Sequence, residues 1–224
     1  MPAHHPSEAL LLDYAAGDLR EPAGLVVATH LALCPECRRH VGLLEAVGGA
    51  LLETLPVEDL PADASTRGAA ALLARAAATD GAAVGASPPP RFDAETCRLV
   101  PEPLRSHLGV NLKDIAWRKV ARGLDTHELA AAANGFRTRL LRIGPGAAIP
   151  RHGHGGSESV LVLDGGFSDE HGHYARGDLA LSDAETVHRP VADPDGDCLC
   201  LIVVEGGVRF AGALGRLLNL FARY

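Results

Sequence analysis

His30, Cys34 and Cys37 set one imidazole and two thiols at H-x3-C-x2-C spacing. If His30 ends one helix and Cys34 begins the next, the three side chains converge on a single tetrahedral ion. Their thiolates select zinc over magnesium or calcium. A fourth donor is still required. His5, just ahead of the first helical run, is the expected one, with His4 beside it as the alternative. Such a site is closed and structural, suited to holding a small domain together and not to turning over a substrate. A thioredoxin-like redox pair would follow a strand, whereas the flanks of Cys34-Pro-Glu-Cys37 are helical. The plainer alternative, two buried thiols and a surface imidazole, fits poorly with the polar Pro35-Glu36 between them.

A second donor set lies far along the chain, as Gly146-x5-His152-x-His154-x3-Glu158-x6-Gly165, with His188 beyond it. Alternation puts His152 and His154 on one strand face, and Glu158, an even number of residues on, returns to it. His188 falls at the end of a later strand, after a turn at Gly177-Asp178. Three imidazoles and a carboxylate suit zinc, manganese, iron or nickel inside a barrel. His171 and His173 flank a turn at Gly172 and are expected in solvent. Cys198 and Cys200 share a strand face and read as core packing. Arg38-Arg39 is a solvated face or a contact surface, and Cys97 carries no signal.

Two kinds of element must position these donors. Ser7 caps a helix running to Leu19, with Leu10, Leu11 and Tyr14 on one face. Glu21-Pro22 opens a second helix to His30. Cys34 then caps a third, starting at Pro35 and carrying Cys37, Val41, Leu44, Val47 and Leu51. Thiolates at its N-terminus are expected to gain from the helix dipole. An Ala-rich fourth helix spans Ser65 to Ala78. Between Asp80 and Asp93, Gly81, Gly85, Ser87 and Pro88-Pro89-Pro90 make a semi-rigid linker. Beyond it the period drops to two. Residues 115–120, 137–143, 159–163 and 198–204 read as strands of an antiparallel barrel or sandwich, and 213–221 as a closing helix. The expected class is α + β multidomain: a helical zinc-binding domain over 1–80, a linker over 81–95 and a β-barrel domain over 96–224.

Composition narrows the function. The 224 residues hold 21 basic and 28 acidic side chains, a net charge of −7. That argues against direct nucleic-acid binding and fits a partner with a basic surface. No apolar run is long enough to span a bilayer, and Met-Pro-Ala-His-His-Pro is no signal peptide. Five cysteines, an odd number, do not form a secreted disulfide framework. A cytoplasmic location is expected, where thiols stay available to metal.

The second donor set resembles the first cupin motif position for position. The second cupin motif is looser, with Ala175-Arg-Gly177 in place of Pro-x-Gly and Ala192 where Asn is usual. Taken with His4-His5-Pro, Leu12-Asp-Tyr-Ala-Ala-Gly17, Leu25-Val-Val-Ala-Thr-His-Leu31 and Leu33-Cys-Pro-Glu-Cys-Arg38, the chain resembles the ChrR-type anti-sigma factors along nearly its whole length. That resemblance implies an N-terminal zinc site on His5, His30, Cys34 and Cys37, and a metal site of a cupin jelly roll on His152, His154, Glu158 and His188. It also implies a one-to-one complex with a cytoplasmic extracytoplasmic-function (ECF) sigma factor. The helical domain would wedge between the sigma factor's two conserved domains. The cupin half would act in release under peroxide or photo-oxidative stress, singlet oxygen included. The physics agrees: a small helical domain draws much of its folding free energy from zinc, and an apolar helix face can dock in a partner's groove. The rival reading is a cupin metalloenzyme, a dioxygenase or small-molecule hydrolase, with the helical half as a dimerisation module; it needs an open coordination position.

Overall fold

The computed structural model describes residues 1–57, 62–80, 91–133 and 135–210. Residues 81–90 of the expected linker and the expected helix over 213–221 lie outside them. Helices come first and an antiparallel β fold follows, the class expected from the sequence. Among the described residues, Met1–Glu45 pack into one compact unit with those from Phe92 onward, while those between Ala46 and Arg91 form a second.

Helix α1 (Glu8–Ala16) is capped by Ser7, whose hydroxyl accepts the Leu10 amide. It stops short of the expected Leu19 because Gly17 turns left-handed, at φ 75°, and its amide bonds back to the Asp13 and Tyr14 carbonyls. Helix α2 (Glu21–Leu33) takes Pro22 in its first turn and runs almost a turn past His30. There the Cys34 amide bonds the His30 carbonyl at 2.8 Å. Helix α3 (Pro35–Glu53) starts at once, so two successive helices share Cys34 as their hinge. Helix α4 spans Ala62–Asp80.

Helix α2 is apolar nearly all round because it is covered on two sides. Leu25 and Val26 enter the core that holds Leu140, Leu161 and Leu201 of the β domain. Val27 and Leu31 pack instead with Leu11, Cys34, Cys37 and Val41. The helical core and the barrel core therefore meet across a single helix.

Helices α5 (Ala94–Leu99) and α6 (Leu104–Leu108) were not anticipated. They are too short to show a period, yet they deliver Leu99, Leu104 and Leu108 to the β core. Strands β1 (Arg118–Ala121), β2 (Leu124–Ala133), β3 (Phe136–Ile143), β11 (Cys198–Glu205), β5 (Glu158–Asp164) and β8 (Leu179–Ser182) form one antiparallel sheet in the order β1-β2-β3-β11-β5-β8. Against it stand two smaller sheets. One has the order β10-β6-β7, from Val191–Ala192, Gly166–Asp169 and Gly172–Ala175; the other has β12-β4-β9, from Val208–Phe210, His152–His154 and Val187–His188. Central strands β5 and β11 are buried on both faces and read as continuous apolar runs.

Candidate metal centres

The sheet pairings bring the second donor set together. Strand β4 supplies His152 and His154 and pairs with β9, setting His152 directly opposite His188. Glu158 opens β5. Nε2 of His188 lies 3.2 Å from Nε2 of both His152 and His154. Glu158 Oε2 sits 3.5 Å from His154 Nε2 and 3.7 Å from His188 Nε2. All four residues are at most 6% exposed.

The outer nitrogens show what the inner ones can do. His152 Nδ1–H donates to the Pro150 carbonyl at 2.9 Å, and His188 Nδ1–H donates to Asp169 Oδ2 at 2.9 Å. Each bond fixes the tautomer with its proton outside, leaving Nε2 as a bare lone pair. With the rings neutral, the Nε2 atoms of His152 and His188 face each other at 3.2 Å as acceptors, an arrangement that a cation among them relieves. Burial, reinforced by the neighbouring imidazoles, lowers His152 and His154 to about 4 each, so both are neutral and able to ligate at pH 7. Burial alone raises Glu158 to about 7. His154 Nδ1 is buried without a hydrogen-bond partner.

Beside these donors lies a cavity of about 30 Å³, lined by His152, Glu158 and His188 together with Phe167, Cys200 and Ile202. Cys198 and Cys200 are buried with their sulfurs 3.5 Å apart.

The first donor set converges as well. His5 Nδ1 lies 3.3 Å from Cys37 Sγ and 3.5 Å from Cys34 Sγ. His5, His30, Cys34 and Cys37 each offer a donor atom within 4.8 Å of the others. Tetrahedral zinc bonds would put nitrogen and sulfur roughly 3.6 Å apart, so the spacing fits. His30 is fully buried; its Nδ1–H donates to the Gly177 carbonyl at 2.8 Å, and its Nε2 has no partner. An orphaned lone pair aimed at two thiols is what an ion would satisfy. His4 turns away, its ring 4.5 Å from that of Tyr174.

Burial, then the Cys34 thiol, pushes the Cys37 thiol up to about 12. The helix-dipole effect expected from the sequence is thus outweighed here, and a bound cation is what would draw the proton off. His171 and His173 are exposed, as expected. Sequence reasoning missed the residues behind the donors, namely Pro150, Asp169 and Gly177. Asp169 and Gly177 meet their imidazoles only through the pairing of distant segments, and Pro150, two residues before His152, acts through a backbone carbonyl that no residue type announces.

A family profile described as the ChrR cupin-like domain matches residues 105–207. Over 220 residues the chain is 40% identical to the anti-sigma-E factor ChrR of Cereibacter sphaeroides, covering 98% of each chain. The crystal structure of Rhodobacter sphaeroides SigE in complex with the anti-sigma ChrR matches at 38% identity and a TM-score of 0.71, covering 92% of this chain and all of that one. An RmlC-like cupin protein from Ralstonia eutropha matches at 18% identity and a TM-score of 0.40, covering 50% of this chain and 85% of its own.

Proposed function

The chain belongs to the ChrR family of anti-sigma factors, and from that premise we propose that it sequesters an ECF sigma factor in a one-to-one complex in the cytoplasm. One observation carries this reading. Val47, Leu51, Leu52 and Leu55, on and just beyond α3, and Leu72 and Leu73 on α4 are between 59% and 70% exposed. Helices that leave so much leucine in water are built to be covered. The relative crystallised in complex with SigE supports a sigma factor as the cover, and the net charge of −7 favours a basic partner surface.

In this reading, His5, His30, Cys34 and Cys37 hold a zinc ion that fixes the α2–α3 hinge, since two thiolates with two imidazoles are a zinc donor set. His152, His154, Glu158 and His188 hold zinc or another divalent transition metal. The cupin half responds to oxidative or photo-oxidative stress by releasing the sigma factor. Such a role needs no catalytic turnover.

The test is co-expression with an ECF sigma factor encoded beside the chain. The expected result is a stable one-to-one complex that suppresses transcription. Cys34→Ser should abolish it, whereas His152→Ala should leave binding intact and blunt release under stress. Loss of binding in both variants, or metal-dependent consumption of oxygen or an ester by the wild type, would sink the proposal.

A further inference from the structure

We propose that the turn between β7 and β8, Ala175–Leu179 of the cupin-like domain, completes the N-terminal metal site: Gly177 and Asp178 are its positioning residues. The inference rests on the reading of His5, His30, Cys34 and Cys37 as a metal site.

His30 and His5 reach the thiols from opposite directions, and this turn holds both. On the His30 side the Gly177 carbonyl accepts the Nδ1 proton at 2.8 Å, which fixes the tautomer and the ring plane and turns Nε2 toward Cys34 and Cys37. On the His5 side the anchoring is through backbone. Asp178 is 4% exposed. Its Oδ1 accepts the Ala3 amide at 2.5 Å and the His4 amide at 2.9 Å. Its Oδ2 accepts the Ala175 amide at 2.8 Å, which ties the carboxylate to its own turn. The Leu179 amide donates back to the His4 carbonyl at 3.0 Å. Residues 3 and 4 are thus pinned on both sides of the peptide that leads to His5.

The arm before α1 has no helix of its own to hold it. Without these bonds His5 would be a ligand on a loose end. Packing closes the same contact. Gly177 sits at φ +91°, and a Cβ there would meet Pro2 Cγ at 2.8 Å and Leu33 Cβ at 3.6 Å. The His4 ring lies on Tyr174, one residue ahead of the turn. The turn itself is rigid: Gly177 donates to the Val162 carbonyl and Val162 to the Asp178 carbonyl, at 2.8 and 3.1 Å, on the central strand β5.

Asp178→Ala in the full-length chain tests this. Zinc affinity at the N-terminal site is read by chelator competition. Cobalt(II) substitution reads the site separately, because thiolate-to-cobalt charge transfer reports Cys34 and Cys37, whereas the cupin donors contain no sulfur. The expected result is a loss of about 10–100-fold in zinc affinity and an altered charge-transfer band, with cupin metal content and far-UV dichroism unchanged. Should Asp178→Ala not fold, Ala3→Pro removes an amide donor from the other side of the contact and leaves the turn intact; a smaller loss in the same direction is expected. Zinc affinity within about twofold of wild type, with an unaltered band, in whichever variant folds, overturns the inference alone. A wild-type chain with no thiolate–cobalt band overturns both it and the metal-site reading beneath it.

Discussion

Asp169→Asn exchanges one oxygen for nitrogen behind His188 and replaces no metal donor. Asp169 ends β6, its side chain is 2% exposed, and it accepts two protons. Oδ2 takes that of His188 Nδ1 at 2.9 Å and Oδ1 that of the His171 amide at 2.8 Å. Asparagine has one oxygen for these two donors, so its NH₂ must face one of them. If the NH₂ faces His188, the imidazole answers by moving its proton to Nε2, and Nε2–H cannot ligate. If it faces His171, the hairpin loses a backbone partner and His188 keeps only a neutral hydrogen bond, roughly half as strong as the charge-assisted one.

Either outcome weakens the cupin site by about 10–100-fold, or about 1.4–2.7 kcal/mol. The measurement is zinc competition against a chelator in a Cys34→Ser background, so that the N-terminal donors do not contribute. The His188→Ala variant marks total loss. Affinity within about twofold of the parent, beside a His188→Ala that binds nothing, would refute the tautomer argument, since the proton on His188 would then not be set by Asp169.

Two further outcomes follow from burial. Leu51→Asp with Leu72→Asp puts charge on side chains 63% and 65% exposed; stability by urea unfolding should move by about 0.5 kcal/mol or less per site, while affinity for the sigma factor falls by about tenfold or more. Leu201→Ala empties a fully buried position on β11 and should cost about 2–5 kcal/mol of stability by denaturant titration.

The two His/Cys and His/Glu clusters and the order of elements were legible in the sequence because ligand-like spacings and helix starts obey local rules. Ser7, Pro22 and Pro35 announce their helices from within a few residues, and His-x-His on one strand fixes its own geometry. The edges erred where a tertiary contact or a left-handed glycine decided them. Gly17 ended α1 early, and α2 continued past His30 because Leu31 had a core to enter. Strands β4, β9 and β10 have two or three residues each, too few to show alternation, yet β4 and β9 carry three of the four cupin donors. The packing of Leu25 and Val26 into the barrel core had no local signature at all, since an apolar residue does not name the surface it will meet.

Apart from Pro150, the outer partners that stayed hidden share one stretch of chain. Asp169, which orients His188, stands at the end of β6, and Gly177 and Asp178, which hold His30 and the arm before His5, stand just past β7. Strands β6 and β7 pair with each other from Gly166↔Ala175 to Asp169↔Gly172. One hairpin, four residues long on each side and so roughly 13 Å from end to end, therefore contacts one donor set at its tip and the other at its base. Phe167 and Tyr174 stack across it at 4.9 Å; Phe167 lines the cupin cavity, and Tyr174 bears the ring of His4. Asp169→Asn and Asp178→Ala thus perturb opposite ends of the same rigid piece, so each is the control for the other. A variant at one end that alters the far donor set and spares the fold would act through that hairpin or through β5, which Glu158 opens and to whose Val162 the turn is hydrogen-bonded.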